Sequence, residues 1–262
     1  MTCYFKIDEE PAPTFIKKLS YRRKKADVSI KKLTKDEDFV YAHIPTYDGE
    51  GEGALRRRII PAAAEAARLG ARKALASDER FTLLLNDLGF YVKLDAGAYM
   101  RRHAEKIIRF AAKRANIIDG RSSLMLHDAS GRHLAFELAK TLCGLCRDVY
   151  VASENTQAAE AFCAGFYEKT GIPLIVGEGV PFNCLLFVTF GGLTDEMREK
   201  IPRRALALDL SGERPPRGLN RTAYAFVPEC ECEGVGIKGE DLMRLFAMED
   251  VGEVEVKRLL YV

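Results

Sequence analysis

The sequence predicts an α/β protein, with an N-terminal α/β domain followed by a second domain built on a mostly parallel sheet. Three observations carry the prediction. From residue 39 onward, short apolar runs of strand composition alternate with longer segments of helical periodicity. The connections between them are short, as βαβ units require. Residues 184–190 form one continuous apolar run, the pattern of a parallel strand buried on both faces. At 262 residues the chain suffices for two modest domains.

Residues 1–38 are polar, with Pro11 and Pro13, and read as a peripheral N-terminal extension holding a short helix near 15–19 or a strand near 28–30. Residues 39–44 read as a strand, followed by Pro45 and a loop of alternating acids and glycines, Asp48-Gly49-Glu50-Gly51-Glu52-Gly53. That loop lacks calcium-loop spacing and reads as a solvated entry to a helix, its acids favourable to the helix dipole. An alanine-rich helix follows over 54–69, closed by Gly70, then a strand over 71–76. Ser77 is placed to cap a helix over 78–88, ended by Gly89, and 91–94 reads as a further strand. A long helix over 97–115 buries one face through Met100, Ala104, Ile107, Ile108 and Ala111. The turn at 116–121, with Asp119-Gly120, sets the expected boundary between an α/β domain of 39–118 and a second domain of 119–262.

In the second half, strands are expected at 123–127, 148–152, 173–176, 184–190, 205–210 and 222–227. Helices are expected at 132–145, 155–170, 194–200 and 239–248. Leu134, Leu138 and Leu142 share one side of the first of these helices.

Composition excludes several classes. Forty basic against 38 acidic residues give a net charge of +2, too balanced to argue for nucleic acid as a partner. No run of about 18 apolar residues suggests a membrane span, and the N-terminus has no apolar signal core. Seven scattered cysteines, an odd count, do not form a disulfide framework; a reducing cytoplasm is the expected home. The basic stretch at 17–32 reads either as a solvated face or as a partner-binding arm. Cys143-Gly144-Leu145-Cys146 has CxxC spacing, and Cys230-Glu231-Cys232 can complete a four-thiolate site on paper. The first pair ends a leucine-rich helix, so plain packed thiols are expected and no metal is assigned. Cys163 and Cys184 fall in apolar segments and are expected in the core.

The chemistry-bearing segment is the strand–turn–helix Leu124-Met125-Leu126-His127-Asp128-Ala129-Ser130-Gly131-Arg132-His133-Leu134-Ala135, followed by the strand Val149-Tyr150-Val151-Ala152-Ser153-Glu154-Asn155. This arrangement resembles the Rossmann domain of shikimate dehydrogenases and glutamyl-tRNA reductases, where a strand runs into a glycine-rich turn and a helix. Leu185-Leu186-Phe187-Val188-Thr189-Phe190-Gly191-Gly192 and Leu206-Ala207-Leu208-Asp209-Leu210 stand where that family has its later strands. The resemblance covers roughly 122–250 and is architectural. It implies a Rossmann-like second domain with a nicotinamide dinucleotide, NAD, as the first cofactor to test and oxidoreduction as the first reaction class.

The turn departs from the family pattern. A pyrophosphate lies against a helix N-terminus and needs backbone close enough to donate N–H groups. In one register His127, Ala129 and Arg132 replace the three glycines; in the next, Asp128, Ser130 and His133 do. Gly131 and the helix start still offer an anion site, with Arg132 or His133 as cationic help. At the end of the second strand, Glu154 can accept hydrogen bonds from a ribose diol and would repel a 2′-phosphate, favouring NAD over NADP. Equally, Glu154 and Asn155 can simply open the next helix. The candidate ligand-binding residues are therefore His127, Asp128, Ser130, Gly131, Arg132, His133, Glu154, Asn155, Gly191 and Gly192, with His43 a further candidate for the cleft. The expected function is binding of a small anionic or nucleotide ligand in an interdomain cleft. The alternative is a non-catalytic regulatory or interaction module that has lost its cofactor site. The family's substrate loop and catalytic residues have no counterpart in the first half.

Overall fold

The computed structural model describes residues 1–11, 24–115, 122–128, 134–177, 179–215, 221–231 and 235–262, without the side chains of 8–10. The chain forms two compact units, Met1–Leu94 with Glu229–Glu253, and Asp95–Pro228 with Val254–Val262. Both units are α/β.

Unit 1 is built on a four-stranded sheet of order β2-β3-β1-β4, from β1 (Thr2–Glu10), β2 (Asp27–Lys32), β3 (Asp38–Tyr47) and β4 (Lys73–Ala76). β1 runs parallel to both β3 and β4, while β2 pairs antiparallel with β3. Alternation along β1 sends Cys3 and Phe5 into a core with Val40, Ala42 and Ile44, covered by helix α1 (Glu52–Arg68) through Leu55, Ile59, Ala62, Ala63 and Ala66. On the other side, Tyr4 donates its phenolic hydrogen to Asp241 Oδ2 at 2.8 Å; Asp241 lies on a helix of Gly239–Glu249 that packs on β1 and β4.

Several expectations are corrected here. The N-terminal segment is not peripheral: β1 lies inside the sheet, and its period-two pattern of Cys3, Phe5 and Ile7 is the signal that the neighbouring prolines masked. The helix over 239–249 belongs to unit 1, not to the second domain, because Leu242, Leu245 and Phe246 are buried there and Asp241 meets Tyr4. His43 does not end a strand: β3 continues through Pro45 to Tyr47, and His43 pairs mid-strand with Lys6 and Asp27. The helix expected near 15–19 lies outside the described residues. After β4, a short 3-10 turn, Glu79–Phe81, precedes α2 (Thr82–Asp87), and the cap is Asp78 rather than Ser77, accepting from Arg80 N at 3.0 Å. The strand expected over 91–94 reduces to one bridge between Lys73 and Tyr91.

Unit 2 opens with α3 (Ala96–Arg102) and α4 (Ala104–Arg114). The single helix predicted over this span is broken at buried His103, whose ψ of 13° closes one helix and opens the next. The division between units therefore falls at Leu94/Asp95 and not near 118. Ala104, Ile107, Ile108 and Ala111 of α4 are buried within unit 2, a destination that helix amphipathicity alone leaves open.

The unit 2 sheet comprises β5 (Ser123–Asp128), β6 (Asp148–Ser153), β7 (Ile175–Val176), β8 (Cys184–Thr189), β9 (Leu206–Asp209), β10 (Thr222–Pro228) and β11 (Val256–Tyr261). Their order is β11-β10-β9-β8-β5-β6-β7, every neighbouring pair parallel except β10 with β11. Taken from β7 to β10, this is the 3-2-1-4-5-6 order of the doubly wound Rossmann fold, extended by one antiparallel edge strand. Helix α5 (Leu134–Leu142) joins β5 to β6, α6 (Thr156–Thr170) joins β6 to β7, and α7 (Asp195–Lys200) lies between β8 and β9. The final helix of the chain, Gly239–Glu249, is α8. Among the described residues, no helix is long and apolar enough to cross a membrane.

Candidate functional site

In this strand order the chain turns from β5 to β6 on one side, then crosses back to β8 on the other. The carboxyl edge between β5 and β8 is thus the switch point where open α/β sheets hold ligands. His127 and Asp128 close β5, Ser153 closes β6, and Thr189 closes β8. Alternation places Met125 and His127 on one face of β5, the face that also carries Phe187 of β8 and Ala152 of β6.

A pocket of ≈400 Å³ opens on that face, wholly within unit 2. Its walls are apolar (Met125, Ala152, Val176, Val180, Phe187 and Met197), and its polar groups are His127, Ser153, Glu154, Thr156 and Lys200. That mix, a mostly apolar concavity with a few converging polar groups, suits a small organic ligand. Gly177 completes the wall, and a Cβ there would lie 3.2 Å from Met125 Cε, the far end of a flexible side chain.

His127 is the chemically distinctive group. Its ring stacks on Phe187 at 6.1 Å between centroids, 26° from parallel. Burial holds its pKa below the ordinary imidazole value, against the opposing pull of Asp128 and Glu154. The neutral ring is therefore the favoured form near pH 7, and its buried Nδ1 has no hydrogen-bond partner among the described residues.

The other sequence-predicted residues fall in different places. Asp128 is 1% exposed at the strand end. Ser130, Gly131, Arg132 and His133 lie outside the described residues. Glu154 is exposed and lines the pocket, whereas the Asn155 side chain accepts from Ala158 N at 3.0 Å and caps α6. The capping reading of that dipeptide holds for Asn155. Gly191 and Gly192 form the turn after β8, where Thr189 Oγ1 donates to the Gly192 carbonyl at 3.3 Å. That turn is tied to β9 by Asp209, which accepts from Leu193 N and Ser211 N, each at 2.9 Å, and it does not line the pocket. Phe187, Met197 and Lys200 escaped the sequence reading, because an apolar strand and a short charged helix announce no ligand until they meet.

Two further motifs resolve in part. Cys143 Sγ and Cys146 Sγ contact the carbonyls of Lys140 and Asp148, and burial pushes the Cys146 thiol up to about 11. Cys232 lies outside the described residues, and among those described no cluster of three or more His, Cys, Asp or Glu is placed to hold a metal. The acidic loop is not wholly solvated: the Glu50 side chain is 2% exposed and pairs with Arg58, itself 7% exposed. Of the basic stretch, Lys31 and Lys32 sit exposed on the edge strand β2, where lysine discourages edge-to-edge pairing.

No protein-family model matches the sequence, and no curated protein matches it. Among solved structures, the chain is similar to quinate dehydrogenase from Corynebacterium glutamicum in complex with NAD, at 12% identity and TM-score 0.29, over 80% of this chain and 79% of that one. It is similar to the ligand-free form of 5-ketofructose reductase of Gluconobacter sp. strain CHM43, at 12% identity and TM-score 0.29, over 79% and 78%. It is also similar to shikimate 5-dehydrogenase from Listeria monocytogenes in complex with shikimate and NAD, at 13% identity and TM-score 0.28, over 79% and 77%. Overlaps this loose argue neither fold nor function; the strand order of unit 2 establishes the Rossmann-like fold on its own.

Proposed function

We propose that unit 2 binds the nucleoside part of a nucleotide in the pocket beside β5, β6 and β8. The observation that carries this is the joining of an apolar, aromatic-walled concavity with an exposed carboxylate, Glu154, at the carboxyl end of the second Rossmann strand. A flat heterocycle fits the apolar part, beside the stacked His127 and Phe187 rings. Glu154 is placed to accept from a ribose diol.

The first turn limits what can lie beyond the nucleoside. His127 stands in a first-glycine position, with its ring on the pocket face rather than clear of it. A pyrophosphate pressed against the backbone there meets the ring that a glycine would leave out. A mononucleotide is therefore favoured over a deeply seated dinucleotide. Should a dinucleotide bind, Glu154 favours NAD over NADP, and hydride transfer is the reaction class to assay.

Calorimetric titration with adenosine, adenosine monophosphate, NAD, NADP and S-adenosylmethionine tests the reading. The expected result is saturable binding of adenosine or its monophosphate, weaker NADP than NAD, and a loss of about tenfold or more in Glu154→Gln. Absence of binding by all five at about 10 mM refutes it.

A further inference from the structure

We propose that the ligand of unit 2 is a nucleoside whose base carries an aromatic substituent on the edge remote from the ribose, seated in a second cavity that continues the pocket along the sheet. This rests on the nucleoside reading and concerns the part of the ligand that lies beyond the first pocket. All the residues involved belong to unit 2.

The space comes from the connection between β7 and β8. These strands flank the β5–β6 pair, so the chain crosses both strands between Val176 and Cys184. A parallel crossover ordinarily takes a dozen or more residues and includes a helix. Here it consists of residues 177–183, and none of those described is helical. Gly177, Gly179 and Val180 line the pocket with Met125 and Phe187, so the connection passes over that face. Two of the three are glycines, and the strip of sheet that a crossover helix covers in other parallel sheets is left open to a ligand. Tyr150, packed beside Met125 and Phe187, is only half-buried.

The second cavity, ≈560 Å³, shares Val180 and Lys200 with the first and runs on to Phe182, Pro202, Arg203 and Arg204. The polar end of the first and the far end of the second lie at opposite ends of the strands. Glu154 follows the carboxyl end of β6, whereas Phe182 and Arg204 come just before β8 and β9 begin. A strand of six residues spans about 20 Å, more than a nucleoside covers. With the ribose at Glu154 and the base against Met125 and Phe187, the base edge remote from the ribose points along the sheet to Val180 and the second cavity.

Phe182 sets the preference of the second cavity. It is 85% exposed, yet it is held in place. Arg204 Nη2 donates to the Phe182 carbonyl at 3.0 Å, and the guanidinium lies 5.0 Å from the centre of the ring. A ring that is fixed and left bare is a stacking platform, because little ordering remains to be done when a second ring settles on it. The surrounding charges do not single out an ion. Lys200 is paired with Glu196 at 2.6 Å, Arg204 lies over the ring, and Arg203 and Glu199 are of opposite sign.

The test is a calorimetric titration of the full chain with adenosine and with adenosine alkylated on its exocyclic amine by benzyl, phenethyl or phenylpropyl groups. Expected is a gain of about tenfold or more over adenosine at one of these tether lengths. Phe182→Ala removes that gain and Phe182→Trp keeps it; the side chain is exposed, so neither variant threatens the fold. Three outcomes overturn the proposal while leaving the nucleoside reading intact. Adenosine binds and no aromatic tether improves on it, a propyl group without the ring gains as much, or Phe182→Ala keeps the gain. Binding of none of these ligands at about 10 mM overturns the nucleoside reading itself, and the proposal with it.

Discussion

Replacing Glu50 by alanine provides the sharpest test of how the first unit is held. Arg58 projects from α1 into a space where only 7% of its side chain meets solvent, and Glu50 is 2% exposed. The guanidinium pairs with Glu50 Oε2 through Nη2 and donates from Nη1 to the Pro45 carbonyl at 2.5 Å. The same Glu50 oxygen accepts from Thr46 Oγ1 at 2.9 Å. An exposed pair of this kind contributes roughly 0–1 kcal/mol, but both partners here are out of water. Removing the carboxylate takes this buried counter-ion away from Arg58, which costs about 3–5 kcal/mol. That is a large part of the roughly 5–15 kcal/mol that holds a typical domain together. Urea unfolding of Glu50→Ala, followed by hydrogen exchange in peptides of β3 and α1, reads the loss in the unit concerned. Glu50→Ala/Arg58→Met removes both charges and is expected to lose less than the single variant. A loss below about 1 kcal/mol in Glu50→Ala, or a double variant worse than the single, refutes the buried-pair reasoning.

Gly97→Ala is expected to destabilise unit 2 by about 1–3 kcal/mol, since the new Cβ would lie 1.9 Å from the Ser211 carbonyl oxygen, a backbone atom with little freedom to move. Gly165→Ala, in α6 with nothing within 4 Å, should instead gain about 0.5–1 kcal/mol; thermal melts compare the two. His127 should titrate below 6.5 by nuclear magnetic resonance. Because the unfolded chain then binds the proton first, its contribution to stability is complete above 6.5 and is lost as pH falls from there through the depressed folded value. His127→Gln should flatten that part of the stability–pH curve, and an unchanged curve would count against the buried neutral ring. Alkylation with iodoacetamide should modify Cys143 while Cys184 stays protected, because Cys184 is fully buried and its thiol is pushed up to about 12. Equal rates in the folded protein would contradict the burial.

The sequence by itself determined most of unit 2. Its strands are short apolar runs separated by capped helices, so local pattern and chain order specify parallel β-α units, and the run at 184–190 marks a central strand. It also placed His127 at the end of one strand and Glu154 just beyond the next, and both line the pocket of unit 2. What only the tertiary structure decided are the matters that depend on distant partners. A polar-looking N-terminus became an interior strand because β3 and β4 flank it, their paired residues 37 and 71 positions further on. The helix at 239–249 went back to unit 1 because its buried face and Asp241 meet β1 and β4, a destination its own periodicity cannot specify. A glutamate in a glycine-rich loop became a buried counter-ion because Arg58 comes in from the next helix. Periodicity tells which face of an element is buried; what that face is buried against is settled only when elements far apart in the chain come together.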